Sequence, residues 1–517
     1  MKIIIGLFSV AAVFAAMAAD APWFWKKAKY AEITSPAAIS VRAGSDFSYQ
    51  VVYKAKEPYA LELVGYAGRP LPEKVSFDAA NGVLSGNIAA VGEYLVTIVM
   101  HDEKGGSVNW EDLRIKVEES RPQPKTLAGE TIYQIQIQGF DREANFAGVR
   151  KHLKRLADLG ITWIYLSPIT AADRGADRTY WSNRQRKYNN PINPYRPADY
   201  YHVEPNYGTD EEFRELVAYA HSLGLKVMID VVFFHSGPNA VFAKNHPEWF
   251  VRDKDGNPVR NEWMFPTLDI ANPALRKYLK DSLVMWALDY GVDGYRTDCG
   301  CDIPLDFWEE CAAVIDAKKR DVVWLLEGAK REYCTAYNIF YGFTCTINYL
   351  AWHMDGRLPA SVIRKGWQEE VDRGTGGAYC FRGTDTHDVA NNDGVNRQEK
   401  RWGHQRAEAA IALCFALDGP AWLFEGQEIG WSGPFCIFTC THPDWDKPEC
   451  LDRPALIKRL ATMKKTEPAF GSRGRIAWME TANPDDEILF YRIAPDGKKF
   501  RCFFNLEQGI WEIEEVK

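Results

Sequence analysis

The chain has 517 residues, 46% hydrophobic and 26% charged, the composition of a soluble globular protein too long for one ordinary domain. A net charge of -8 with no clustered basic stretch excludes a nucleic-acid binder, because phosphate contacts need concentrated lysine and arginine. The 11 cysteines all fall between Cys299 and Cys502 and lack the paired C-x-x-C spacing of a zinc site.

At the start, Lys2, the apolar run 3–16 and the small-residue triplet Ala16-Met17-Ala18 have the three parts of a signal peptide over residues 1–19. The expectation is therefore a secreted or periplasmic protein without stable membrane insertion, since no other stretch is long and apolar enough for a span. Export would permit disulfides, and Cys436, Cys440 and Cys450 lie where one is expected. Residues 37–120 alternate apolar and polar in short runs (47–52, 94–99, 113–117) between Gly, Pro and Asn turns, as in a β-sandwich of immunoglobulin-like size. The segment Phe77-Asp-Ala-Ala-Asn-Gly-Val-Leu-Ser-Gly86 resembles immunoglobulin-like modules appended to bacterial enzymes, for which a spacer role is favoured over glycan binding. Arg121-Pro-Gln-Pro then reads as a stiff linker.

From Thr131 strands alternate with helices, the pattern of a parallel sheet. Expected strands are 132–137, 161–166, 226–233, a fourth ending at Asp298, 322–327, 343–348, 378–382 and 421–424. Helical stripes include Phe146, Val149, Leu153 and Leu156, then Phe213, Leu216, Ala220 and Leu223, with later helices near 359–372, 403–417 and 453–466. Eight such units over 127–470 fit an α/β fold of the (β/α)8 TIM-barrel type, and 471–517, where helical patterning stops, reads as a small C-terminal β-domain. The connections 167–208 and 236–268 are far longer than ordinary ones, which marks them as functional. The first is dense in aromatics that suit the apolar faces of sugar rings: Tyr180, Trp181, Tyr188, Tyr195, Tyr200 and Tyr201.

Catalytic groups of such a barrel come from the C-terminal ends of its strands. Those ends carry His235, Asp298, Glu327 and the pair His387 and Asp388. Arg296 and Asp298 share one face of their strand, and a guanidinium beside a carboxylate favours the ionised form. Glu327 follows the apolar run 322–326, so burial should raise its pKa as a general acid requires. One ionised and one protonated carboxyl make the division of labour that glycoside hydrolysis needs.

These runs resemble the α-amylase family, glycoside hydrolase family thirteen. Asp230-Val-Val-Phe-Phe-His235, Gly294-Tyr-Arg-Thr-Asp298, Leu325-Leu-Glu327-Gly and Thr386-His387-Asp388 are similar to its motifs on strands three, four, five and seven. Gly160 to Pro168, Asp199 to Thr209 and Phe424 to Gly430 are similar to other family segments, and the likeness covers most of 131–470. It implies a retaining mechanism with Asp298 as nucleophile, Glu327 as acid/base and Asp388 as transition-state stabiliser. It further implies that Arg296 holds the nucleophile ionised, that Asp230 orients Arg296, and that His235 and His387 bind sugar hydroxyls.

Several positions depart from the family pattern. Phe234 and Thr386 replace asparagines, Cys301-Asp302 replaces a Lys-His pair, and Ile192-Asn193 replaces a Tyr-His pair, which leaves Tyr195 as the alternative sugar platform. Phe234 and Thr267 stand where relatives place calcium ligands, so neither metal nor cofactor is expected. The implied partner is an α-linked oligo- or polysaccharide. An α-glucan transglycosylase of the same family and an inactive carbohydrate-binding barrel stay open at this point.

Overall fold

The computed structural model describes residues 31–516 except 45, 56–58, 67–68, 103–106, 119–120, 122, 320, 374–377 and 391–396. The leader over residues 1–19 lies outside the described residues. The chain divides into two compact units, Met1–Glu119 and Ser120–Lys517.

In the first unit period-two sequences form a sandwich. Ala38–Arg42, Ser107–Glu118, Gly92–His101 and Ala60–Gly65 make a four-stranded sheet, and Asp46–Gln50, Val83–Asn87 and Val75–Asp78 a three-stranded one. Alternate residues Val96, Ile98 and Met100 and, on the neighbouring strand of the same sheet, Leu113, Ile115 and Val117 are buried in its core. The turn within 77–86 is fixed by Asp78, whose carboxylate accepts the backbone and side-chain N–H groups of Asn81, and by Gly82 at φ 64°.

The second unit is a TIM barrel with a small antiparallel sheet at its C-terminal end. Its parallel strands are Thr131–Ile135, Trp163–Leu166, Lys226–Val232, Gly294–Asp298, Val323–Leu326, Ile339–Phe340, Tyr379–Cys380 and Ala421–Phe424, paired in that order, with the eighth returning to the first. Strands seven and eight close the ring through Arg382, whose N–H donates to Pro420 O (2.9 Å) and whose carbonyl accepts from Trp422 N (2.8 Å). Side-chain alternation sorts each strand. Trp163, Tyr165, Met228, Val323, Leu325, Tyr341 and Trp422 fill the interior, while Tyr133, Ile164, Ile229, Tyr295 and Trp324 pack under the helices. Gly294 is required here, because a Cβ would stand 2.8 Å from Val323 O and 3.1 Å from both Met228 and Trp163.

Three expectations need correction. The sixth strand is Ile339–Phe340, and 343–348 lies in a π-helical turn, Phe343–Tyr349. A two-residue strand leaves almost no alternation to detect, whereas the apolar turn after it imitates one. Arg121 is not part of a free linker. It is 6% exposed, donates to both carboxylate oxygens of Asp316 at the end of the preceding helix (2.6 Å each), and also reaches Asn338 and the Val322 carbonyl at the N-terminal ends of strands six and five. Cys436, Cys440 and Cys450 form no bridge, and most of the cysteines are buried as small apolar residues.

The C-terminal sheet runs Arg475–Met479, Glu487–Ile493, Lys499–Asn505, Ile510–Val516, and its Ile476, Ile488, Phe490, Phe500 and Phe504 join the core under the barrel helices. In its first strand only Ile476 of the five residues is buried. Among the described residues no helix is long and apolar enough to cross a membrane.

Candidate active site

Strand periodicity brings Asp230, Arg296 and Asp298 to the interior at the C-terminal mouth, in register across strands three and four. Arg296 is wholly buried and is the hub of the site. Its Nη1 donates to Asp230 Oδ1 (3.0 Å) and Oδ2 (3.1 Å) and to Asp298 Oδ1 (2.8 Å), its Nη2 lies 2.8 Å from Glu327 Oε1, and its Nε donates to the Tyr341 hydroxyl (3.1 Å). One cation thus serves three carboxylates. Asp230 also accepts from the hydroxyls of Tyr165 (2.5 Å) and Tyr195 (3.0 Å).

Three carboxylates cannot all stay ionised beside one guanidinium in a dry pocket. Burial pushes Glu327 up to about 8; Arg296 opposes this, while the charges of Asp298 and Asp388 reinforce it. Burial likewise pushes Asp230 up to about 7 against the pull of Arg296. The Cys299 N–H donates to Glu327 Oε2 (2.8 Å) from a left-handed backbone conformation (φ 47°), which fixes the carboxyl's orientation. Carboxylate oxygens of Asp298 and Glu327 and the Cys299 sulfur lie within 4.8 Å of one another.

Asp388 opens the short helix His387–Ala390 with 57% of its side chain exposed, and its charge is felt at Glu327, Tyr195, Tyr341 and His387. His387 is buried, its Nδ1 is 2.7 Å from the Gln134 amide nitrogen, and its ring lies parallel to Tyr195 at 5.0 Å. Tyr195 therefore carries His387 on one face and Asp230 on its hydroxyl.

His235 behaves differently from the expectation. It is 2% exposed and both ring nitrogens are engaged: Nε2 is 2.7 Å from the Tyr195 carbonyl, and Nδ1 is 3.0 Å from the Asn261 amide nitrogen. Since a carbonyl only accepts, Nε2 is the protonated nitrogen and Asn261 donates to Nδ1. No nitrogen is left for a sugar hydroxyl in this arrangement, and His235 ties the two long insertions together.

Of the aromatics in 167–208, Tyr195 meets the catalytic carboxylates through Asp230, and the Tyr200 hydroxyl donates to the His235 carbonyl (3.1 Å). Trp181 and Tyr200 are buried, and Tyr200 packs on Phe233, Phe242 and Tyr278. Tyr165, Tyr341 and Gln134 touch the cluster and were missed. The signal available was the inward phase of strands two and one for Tyr165 and Gln134, and its continuation just past strand six for Tyr341.

The residues present do not fit the calcium ion that the resemblance would put beside the third strand. The half-buried Phe234 ring packs against the core, offering no oxygen. A guanidinium already gathers the backbone oxygens of the neighbouring insertion: buried Arg196 donates to the carbonyls of Asp173 (2.6 Å), Pro191 (3.0 Å), Tyr180 (3.1 Å) and Gly175 (3.3 Å). Asp173 in turn accepts from Asn239 of the third-strand insertion.

A family model described as the catalytic domain of alpha amylase matches residues 138–263, and an Ig-domain model matches residues 30–117. The intracellular maltogenic amylase of Bacillus subtilis (strain 168) is 28% identical over 396 residues, 69% of this chain and 61% of that protein. A cyclomaltodextrinase of Geobacillus thermopakistaniensis is 33% identical over 198 residues, 35% of this chain and 31% of that protein. The crystal structure of a noncanonic maltogenic alpha-amylase, AmyB from Thermotoga neapolitana, superposes with a TM-score of 0.65 at 24% identity, covering 74% of this chain and 86% of that one; it is a likeness of fold. The chain spans about three fifths of the length of the B. subtilis relatives it matches. Those relatives are named intracellular, which overturns the expectation of a secreted or periplasmic location drawn from residues 1–19.

Proposed function

Because the chain belongs to the α-amylase family and carries an Ig-like domain ahead of the catalytic one, we propose that it is a retaining hydrolase of α-glucosidic bonds in maltooligosaccharides or cyclic α-glucans. The observation that carries this reading is the spacing of the two acids. Carboxylate oxygens within 4.8 Å leave no room for the water that an inverting enzyme holds between its acids, and they suit direct attack by one of them.

In this reading Asp298 attacks the anomeric carbon as the glycosidic C–O bond breaks, and Glu327, still protonated at neutral pH, gives its proton to the departing oxygen. Glu327, now ionised, takes a proton from water, whose oxygen attacks the same carbon and releases Asp298. Asp388, exposed at the mouth, stabilises the positive charge that develops on the ring. Arg296 directs Asp298, and Asp230, gripped by Tyr165 and Tyr195, directs Arg296. His387 offers Nε2 towards the ring, with Gln134 fixing its tautomer.

The chemistry belongs to residues 127–470, and the sandwich over 37–120 serves as a spacer. The reading is tested by incubating the protein with maltotriose, maltohexaose, β-cyclodextrin and pullulan and resolving the products. Release of glucose or maltose supports it. No cleavage of any of the four, or only longer disproportionation products, counts against it.

A further inference from the structure

The carboxylate proposed as stabiliser stands where the barrel has least backbone to hold it. Strand seven gives the sheet only Tyr379 and Cys380, Arg382 adds one bridge to strand eight, and among the described residues no further bridge follows before Asp388. Asp388 itself is largely exposed. Its place therefore depends on how residues 383–387 are anchored.

The anchors are buried side chains at the start of the short helix Gln398–Trp402. One oxygen of Gln398 accepts from the Thr384 hydroxyl (2.5 Å) and the Gln427 amide (3.0 Å). Gln427 also donates to the Thr384 hydroxyl (3.2 Å) and accepts from Phe424 N (2.7 Å), which ties this triangle to the end of strand eight. Arg397 lies 3.7 Å from Asp385 through Nη1, donates from Nη2 to the Glu425 carbonyl (3.0 Å), and has the rings of Phe424 and Trp431 each 5.3 Å away. Asp385 in turn accepts from Thr386 N (3.1 Å), and the Thr386 carbonyl accepts from Ala390 N (2.9 Å) in the turn that carries Asp388. Burial pushes Asp385 up to about 7 and Glu425 up to about 8, and Arg397 opposes both. Burying such polar groups carries a desolvation cost, and a connected network of them fixes one arrangement where a sheet ladder is missing.

We infer that Thr384, Arg397 and Gln398 are positioning residues, which clamp the end of strand seven to strand eight and so set where Asp388 meets the positive charge developing on the sugar ring. They act through Asp388. The inference rests on the proposed hydrolysis and on the stabilising role given there to Asp388.

It is tested with Thr384→Val, which keeps the shape and loses the hydroxyl, and with Arg397→Lys, both in the full-length protein assayed on maltotriose. Each should lower kcat about ten- to hundredfold with KM within about threefold of the parent, because a stabiliser displaced by about 1 Å loses most of its effect in the transition state. Thr384→Ser, which restores the hydroxyl, should regain the parent's kcat within about threefold. Two further readouts separate positioning from a loss of stability. The charge of Asp388 helps hold Glu327 protonated, so the alkaline limb of the rate should move to lower pH in Thr384→Val, as in Asp388→Asn. In the Asp388→Asn background, Thr384→Val should change kcat by less than about twofold, since no charge is left to place. A kcat within about twofold of the parent in both Thr384→Val and Arg397→Lys, or a loss that multiplies in full with that of Asp388→Asn, overturns the positioning role while leaving the hydrolase reading intact. Asp388→Asn retaining a tenth of the parent's rate removes the stabiliser, and this inference with it.

Discussion

Raising the pH through 8 should switch off the proposed acid. Glu327 moves from an ordinary value of 4.5 to about 8, and the causes are visible in the structure: burial and the negative charges of Asp298 and Asp388 outweigh Arg296 and the Cys299 N–H. That displacement sets a ceiling of about 5 kcal/mol on the preference for the protonated form in the folded state. For the rate, kcat/KM should fall about tenfold per unit above pH 8, as the proton needed by the leaving oxygen is lost. For stability the sign is that of a raised pKa. The folded protein binds this proton more tightly than the unfolded chain, so the contribution is full below about 4.5 and is lost as pH rises through 8. Initial rates on maltotriose from pH 5 to 10 and melting temperatures over the same range read both effects. Glu327→Gln should remove one proton's worth of the melting slope between pH 5 and 8, because glutamine cannot titrate. A rate flat to pH 9.5, or a glutamine variant with the parent's melting slope, would refute the reasoning.

Asp298→Asn and Glu327→Gln should each lower kcat by about a thousandfold or more without unfolding the protein, and either one retaining a tenth of the parent's rate on its best substrate would contradict the assignment. Arg121→Ala should cost about 2–3 kcal/mol, because a buried guanidinium bridging Asp316, Asn338 and the Val322 carbonyl is lost. A chain beginning at residue 127 should accordingly melt about 2–4 °C below one beginning at residue 120, and equal melting points would mean that Arg121 contributes nothing. Exhaustive chelation should leave activity and melting temperature unchanged, since Phe234 and Arg196 occupy the roles a calcium ion would fill; a calcium-dependent rise of several degrees would show otherwise.

Where a residue's neighbours in sequence decide its environment, the sequence was enough. Asp230, Arg296 and Asp298 follow the two-residue period of their strands onto the inner wall, and the apolar run before Glu327 points to the partial desolvation that raises its pKa. What escaped was set by contacts distant in the chain. Tyr341 reaches Arg296 from just past a strand two residues long, Gln134 meets His387 across 253 positions, and Asn261 takes the His235 nitrogen that a sugar was expected to use. The proline-flanked Arg121 looked like linker because nothing local shows that Asp316 awaits it 195 positions on. The leader-like residues 1–19 misled for a different reason: an apolar run after a lysine is a short, common pattern, and the relatives named intracellular outweigh it.

The claim on which the account turns is double displacement by Asp298 and Glu327, and the anomeric form of the first product reads it directly. Proton NMR of fresh maltotriose or cyclodextrin digests, recorded within the first minutes before mutarotation, should show the α-anomer of the new reducing end in excess and relaxing afterwards towards equilibrium. Initial release of the β-anomer would mean single displacement by water and would contradict the roles given to both carboxylates.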